Sequence, residues 1–164
     1  MPLGRSSRVP DLHADCEALA PLIGTWRGSG HGDYPGIDPF DYEVEWSFTT
    51  HGNRWVALTQ RTWHADTGAP WHFESGFLRP VPPDRVEAVI AQPGGLGEVQ
   101  EGTVDGGLFQ FRSVAVAQTT TSKQVDIIER TWRVDHDDLH CTVRMAAMGK
   151  ALGDHLDERL VRQA

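Results

Sequence analysis

Alternation of apolar and polar residues with a period of two dominates the chain beyond its first two dozen residues. The clearest examples are segments 42–48, 71–77 and 139–145, in which every second residue is apolar apart from Ser75. A period of two places successive side chains on opposite faces of a β-strand. The pattern therefore predicts half-buried strands at these three places.

Turn-forming residues separate such segments at short, regular intervals. They occupy 50–53, 66–70, 80–84, 93–95, 105–107, 135–138 and Gly149. The intervening strands number about ten, centred near residues 26, 45, 58, 75, 88, 100, 111, 129, 143 and 158. Many antiparallel strands at this spacing are typical of a closed barrel or of a sandwich. We predict an all-β fold, a ten-stranded antiparallel up-and-down β-barrel, because closure leaves no sheet edge with unpaired amides.

The two ends of the chain are less regular than its middle. We expect residues 1–10 to be a flexible leader and residues 11–164 to form a single domain. Asp11 is predicted to cap a short N-terminal helix that Pro21 ends. Segment 153–162 fits either a strand or a short helix, and that choice decides which way His155 points.

Composition limits the partners of this domain. The chain has 164 residues, with 23 acidic and 15 basic side chains and a net charge of −8, which argues against binding to a nucleic-acid backbone. No apolar run approaches the roughly 20 residues that span a bilayer, and no secretory signal is recognisable. We therefore expect a cytoplasmic protein without a membrane partner. Cys16 and Cys141 lie far apart in the sequence, and we predict that both are reduced packing residues.

A ten-stranded barrel encloses more space than its own side chains fill, so the predicted fold implies a ligand cavity. Around it, three segments carry candidate chemistry. In 24–30, the glycines of a G-x-W-x-G-x-G run allow the first strand to bend, and Trp26 is expected to close one barrel end. We interpret Gly24, Trp26, Gly28 and Gly30 as architecture.

The second segment, 32–40, is predicted to be a stiff loop between the first two strands, either a rim over the cavity or an ordinary packed loop. The third, 152–156, contains His155. No arrangement of the eight histidines predicts a multi-histidine metal site, so His155 would bind a metal only if that metal brought most of its own ligands. A porphyrin iron is such a metal.

Taken together, these segments resemble the nitrobindins. The resemblance covers about residues 19–163 and rests on four motifs, which are Gly24–Gly30, Tyr34-Pro35-x-Ile37, Met145-x-x-x-Gly149 and Leu152-x-x-His155-Leu156. Nitrobindins are ten-stranded barrels related to the lipocalin and fatty-acid-binding folds. Membership implies one heme b per chain, with His155 as the axial iron ligand and Lys123 near the heme propionates. The chain departs from the family pattern at one position, because Gly36 stands where the family usually has threonine.

The resemblance further implies a function. Ferric heme in this family isomerises peroxynitrite to nitrate and binds nitric oxide reversibly, which makes His155 the residue on which catalysis depends. Two alternatives stay open, a heme-free carrier of a fatty acid or other small hydrophobic ligand, and a structural barrel that binds a partner. The link after Gly30 is too short for the helical pair of fatty-acid carriers, which disfavours the carrier. The oligomeric state is also open, with a homodimer as one alternative.

Overall fold

The computed structural model describes residues 10–164, and it contains a short N-terminal 3₁₀ helix followed by ten strands. The helix spans Ala14–Leu22. The strands are β1 (Gly24–Tyr34), β2 (Ile37–Thr50), β3 (Val56–His64), β4 (Pro70–Val81), β5 (Arg85–Gln92), β6 (Leu96–Asp105), β7 (Leu108–Gln118), β8 (Val125–Asp135), β9 (Asp138–Ala147) and β10 (Gly153–Arg162). The predicted all-β fold and its ten strands are confirmed. The leader predicted over 1–10 lies, except for Pro10, outside the described residues.

Each strand pairs antiparallel with its neighbours in sequence, and β1 pairs with β10 to close the barrel. This closing seam runs from Trp26 opposite Arg162 to Gly32 opposite Leu156. Segment 153–162 is thus a strand hydrogen-bonded on both sides, since β9 lies on its other edge. Pairing with two neighbours selects the strand over the helix that local sequence also allowed.

The 3₁₀ helix closes one end of the barrel. Its Cys16, Leu19 and Leu22 are fully buried in the main core. The prediction that Asp11 caps this helix is wrong, because the cap residue is His13, whose Nδ1 accepts the backbone N–H of residue 15. No helix in residues 10–164 has the length and apolar character that a bilayer span requires.

The predicted architectural motif joins this helix to the barrel wall. The Trp26 indole is fully buried and donates from Nε1 to the carbonyl of Leu22 at 2.8 Å, while the Arg162 guanidinium lies 4.0 Å from the centre of its ring. A side chain at Gly28 would overlap the backbone of Arg159 across the closing seam. A side chain at Gly30 would overlap the ring of Tyr42. The inner face of β1 therefore lacks side chains at the positions where neighbouring groups pack against its backbone.

The hairpin between β1 and β2 differs from the loop predicted over 32–40. Tyr34 pairs directly with Ile37, so only Pro35 and Gly36 form the turn. Gly36 has φ of +88°, the conformation that glycine adopts at the third position of a type II turn after proline. The remaining residues of the segment lengthen β1 and β2 at the end of the barrel away from the 3₁₀ helix, where they form part of a cavity wall.

Apolar side chains fill the helix-covered half of the barrel. Trp46 and Phe48 stack at 5.6 Å between ring centres, and Trp132 packs edge-on against both. Both cysteines are buried and free, as predicted. On the side of this core away from the helix lies a layer of buried polar side chains. Beyond that layer the barrel is open.

Candidate functional site

A cavity of about 630 Å³ opens at the end of the barrel opposite the 3₁₀ helix. Its walls combine apolar side chains with a ring of polar ones at the bottom. The lining residues are Ile37, Asp38, Phe40, Tyr42, Gln60, Thr62, Trp71, His72, Glu74, Gln92, Leu96, Lys123, Ile128, Arg130, Val143, Met145, His155 and Leu156. Its size and mixed lining suit a drug-sized organic ligand with a few polar groups.

His155 reaches this cavity through a β-bulge. In the pairing of β10 with β9, Asp154 lies opposite Arg144 and Leu156 opposite Val143, which leaves His155 as an extra residue. An extra residue re-aims the side chains around it. As a result, the consecutive residues His155 and Leu156 both line the cavity, whereas strict alternation would turn one of them outward.

A second irregularity holds the His155 ring. β1 has a register shift between Gly32 and Tyr34, and the carbonyl of Asp33 there lies 3.3 Å from His155 Nδ1. A carbonyl only accepts, so Nδ1 carries the proton and Nε2 of the neutral ring keeps its lone pair. In the described part of the chain Nε2 has no hydrogen-bond partner, and Tyr34 packs edge-on to the ring at 5.3 Å.

The surroundings of His155 favour this neutral form. Burial lowers the pKa of the imidazole below its ordinary value, and the positive charges of Arg130 and Lys123 lower it further, against an opposing contribution from the Asp33 hydrogen bond. A neutral imidazole is the form that ligates metals. The neighbouring Asp154 side chain points into solvent beside Arg144 and does not orient this ring.

Lys123 lies in the link between β7 and β8 and lines the same cavity as His155. Its charge contributes to the lowered pKa of His155, which places the two groups within electrostatic reach. The structure therefore brings together the two residues predicted from sequence to bind a cofactor. Apolar side chains on β6, β8 and β9 surround them, namely Leu96, Ile128, Val143 and Met145.

The bottom of the cavity contains a buried cation between two carboxylates. Arg130 donates from Nε and Nη2 to Glu98 at 3.0 and 2.6 Å, and its Nη1 lies 3.0 Å from Glu74 Oε2. Burial alone raises the pKa of Glu74, but the Arg130 charge and hydrogen bonds from His72 and Arg130 lower it well below its ordinary value. Arg130 is thus fully engaged by protein carboxylates.

A third buried acid, Glu158, lies beside this group. It accepts hydrogen bonds from Tyr42 at 2.8 Å, from Trp46 at 2.8 Å and from Gln60 at 2.9 Å. Burial raises its pKa to about 7, opposed by hydrogen bonds from Trp46 and Tyr42. Its protonation therefore changes near neutral pH, while Glu74 stays ionised.

These buried polar residues and His72 were not predicted from the sequence. A signal was present, because Arg130 lies between Ile128 and Trp132 and Glu158 between Leu156 and Leu160, at the inward positions of their strands. A charge at an inward position predicts burial with a partner, although it does not identify that partner. Arg27 and Arg54 lie outside the barrel, where they pair with Glu45 and Asp15.

Comparison with known proteins points to the same family as the sequence motifs. The family profile described as "THAP4-like, heme-binding beta-barrel domain" matches residues 15–162. Over 157 residues the chain is 45% identical to peroxynitrite isomerase 2 of Mycobacterium avium, covering 93% of this chain and 98% of that protein. It is 44% identical over 155 residues to the peroxynitrite isomerase of Nocardia farcinica, covering 92% of each.

A solved structure extends this similarity to the fold. The crystal structure of Rv2717c from M. tuberculosis superimposes with a TM-score of 0.88 at 37% sequence identity, covering 94% of this chain and all of that one. An S-type phycobiliprotein lyase from Guillardia theta, at 10% identity and a TM-score of 0.63, shares the fold alone.

Proposed function

The chain belongs to the family of THAP4-like, heme-binding β-barrel domains, the nitrobindins, and we propose that it is a heme-dependent peroxynitrite isomerase. The finer proposal is one heme b per chain, bound in the barrel cavity with His155 as axial ligand. One observation carries it: His155 presents an unprotonated Nε2 in a large cavity while Asp33 holds its other nitrogen. A proximal histidine needs this arrangement, because the second hydrogen bond fixes the tautomer and the ring orientation.

The size and the lining of the cavity support the proposal of a bound heme b. It is about 630 Å³, its upper walls are apolar, and it opens to solvent at one end. Heme is an apolar macrocycle with two carboxylates, so its site needs apolar walls and a cation near the opening. Lys123 supplies that cation. We propose that Lys123 contacts a propionate. Gly36, the departure from the family, lies in the turn beyond the cavity lining, so we propose that heme binds without the family's hydroxyl there.

Each protein group then has a defined task. Ferric heme, when bound, would supply Lewis-acid chemistry toward the peroxide bond of the substrate. His155 would hold the iron through Nε2, while the Asp33 carbonyl keeps the ring aligned by accepting from Nδ1. Lys123 offsets part of the negative charge at the cavity in a chain whose net charge is −8. Peroxynitrite and nitrate have the same atoms and the same charge, so the protein needs to supply neither a proton nor an electron. Nitric oxide, small and neutral, is proposed to bind reversibly in the same cavity.

The heme-free carrier receives no support from the cavity floor. Such carriers bind a fatty-acid carboxylate with interior arginine and tyrosine side chains. Here Arg130 is neutralised by Glu74 and Glu98, and the Tyr42 hydroxyl donates to Glu158. A ligand carboxylate would have to displace a protein carboxylate from either group.

Hemin titration followed by a kinetic measurement tests the function. The purified protein is expected to develop a Soret band that saturates at one hemin per chain and then to convert peroxynitrite to nitrate. His155→Ala is expected to fold normally by circular dichroism but to lose both properties. His140→Ala is the matched control, because His140 pairs with Asp157 on the outer wall at 3.0 Å. A full Soret band in His155→Ala would contradict the assignment of the ligand.

We also propose that the chain forms a homodimer. An apolar stripe crosses β4, β5 and β6 on the outer wall, where Phe77 pairs with Val89 and Val89 with Val99, at exposures of 52, 55 and 41%. Contiguous exposed apolar surface marks an interaction site more often than scattered residues do. Sedimentation velocity is expected to show a dimer that Val89→Lys dissociates, while Val161→Lys on β10 has no effect. A monomeric parent would contradict this proposal.

A further inference from the structure

The cavity wall opposite His155 contains a second histidine. His72 is on β4 and His155 on β10, and in the ten-stranded ring these strands are four positions apart in one direction and six in the other. Both side chains line the same cavity. The two imidazoles therefore come from nearly opposite walls of one cavity.

Several other polar side chains in the cavity are already committed to partners. The donors of Arg130, Tyr42, Gln60 and Gln92 all point at buried carboxylates. A donor satisfied by a buried carboxylate would leave that carboxylate unpaired if it turned toward a ligand, and that exchange is costly. These four residues are therefore poorly suited to bind an incoming anion.

His72 differs from these four. Its Nε2 lies 3.3 Å from Glu74 Oε1, and its backbone N–H donates to the Thr62 hydroxyl at 3.0 Å. Because a carboxylate accepts, Nε2 carries a proton, and in the described part of the chain Nδ1 has no partner. The His72 side chain is 37% exposed and Glu74 7%, so the ring bridges a buried charge and the open cavity.

We propose that His72 is a catalytic residue that binds the anionic substrate by donating a hydrogen bond from Nδ1, while Glu74 accepts from Nε2 and orients the ring. In this role both nitrogens carry a proton, and Glu74 orients the ring as the aspartate of a Ser-His-Asp triad orients its histidine. Arg130 in turn keeps Glu74 in place. The imidazole keeps its proton throughout, since substrate and product are isomers. This inference rests on the proposed isomerase function and adds to it a residue that contacts substrate.

Fluoride binding to the ferric, heme-loaded protein tests this role without using turnover. Fluoride is a small anion whose retention depends on nearby hydrogen-bond donors, and a bond to a charged group contributes about 1.5 kcal/mol or more. His72→Leu is expected to bind fluoride about tenfold more weakly and to isomerise peroxynitrite about tenfold more slowly, with hemin affinity and Soret position unchanged. His72→Gln retains an N–H donor and is expected to recover part of both losses. His140→Leu, which removes the histidine of an outer-wall pair, is the control.

The outcomes separate this inference from the proposed function. If His72→Leu binds fluoride and turns over like the parent, the inference is overturned and the isomerase function stands. If the parent shows a six-coordinate low-spin spectrum that His72→Leu abolishes, His72 is an iron ligand, and the inference is again overturned. If the parent takes up no heme, the proposed function itself fails.

Discussion

The side chain of His155 faces the cavity because an extra residue interrupts the pairing of β10 with β9. At the level of single residues, the site depends on such local exceptions to regular structure. A shift in β1 presents the Asp33 carbonyl to the same ring. Alternation along a strand would have predicted neither feature, and both are needed for one nitrogen to be held while the other stays free.

Lys123 provides a prediction at this scale. Lys123→Ala is expected to accelerate heme loss to a scavenger globin by up to about fivefold, because an ion pair near water contributes about 1 kcal/mol or less. The heme absorbance spectrum should stay the same. Lys150→Ala is the matched control, since Lys150 does not line the cavity. An equal rate of heme loss in the two variants would exclude the propionate contact.

Glu158 provides a second prediction, for the apoprotein. The pKa of Glu158 is raised to about 7 in the folded protein. Protonated Glu158 therefore stabilises the fold fully below the ordinary pKa of a carboxyl, and this stabilisation is lost as pH rises through 7. The loss is at most roughly 3 kcal/mol at 1.36 kcal/mol per pKa unit. Between pH 5 and pH 8, Glu158→Gln should therefore gain stability relative to the parent, as measured by urea unfolding. His155, with its lowered pKa, acts in the opposite direction in both proteins and cancels in the comparison.

The control for this experiment is Glu87→Gln, which changes a half-buried partner of Arg79 on the outer wall. Its pH profile should run parallel to that of the parent. A parallel profile for Glu158→Gln as well would show that this carboxyl is ionised throughout the range.

At the level of elements, β1 holds the barrel closed. After Trp26, its inward positions are Gly28, Gly30 and Gly32, so the backbone of β10 and the aromatic rings of β2 approach the β1 backbone directly. The hairpin from β1 to β2 is tight, which leaves the cavity mouth open on this side.

Gly28 tests the importance of this approach. Gly28→Ala is expected to lower the free energy of unfolding by about 2–3 kcal/mol, because its Cβ would overlap backbone atoms of Arg159 that have no room to move within a paired strand. Gly97→Ala on β6 is the control, since its Cβ would lie 3.8 Å from Ala117. Urea unfolding of both variants measures the difference, and equal stabilities would contradict this account of the seam.

At the level of the whole molecule, charge and cavity act in opposite directions on an anionic substrate. The net charge of −8 repels peroxynitrite, whereas we propose that His72 in the cavity attracts it and that Lys123 offsets negative charge there. Salt screens distant charges more strongly than close contacts, since the Debye length falls from about 30 Å at 10 mM to about 8 Å at 150 mM.

The rate of peroxynitrite isomerisation is therefore expected to rise a few-fold between these two salt concentrations, as repulsion by the whole surface is screened. Stopped-flow measurement gives this rate, and nitric oxide, which is neutral, is the control ligand whose binding rate should not change. A rate that falls with salt would show instead that the local cations dominate the approach of the substrate.

Strand positions, turns and barrel closure followed from the sequence, because alternation and turn residues are local properties that burial on one face enforces. The motifs around Trp26 and His155 likewise identified the family. The orientation of His155, the pairing of Arg130 with Glu74 and Glu98, and the presence of His72 in the cavity were decided only by tertiary structure. Each depends on which strands face one another in a closed barrel, where residues such as Asp33 and His155, 122 positions apart in the chain, meet.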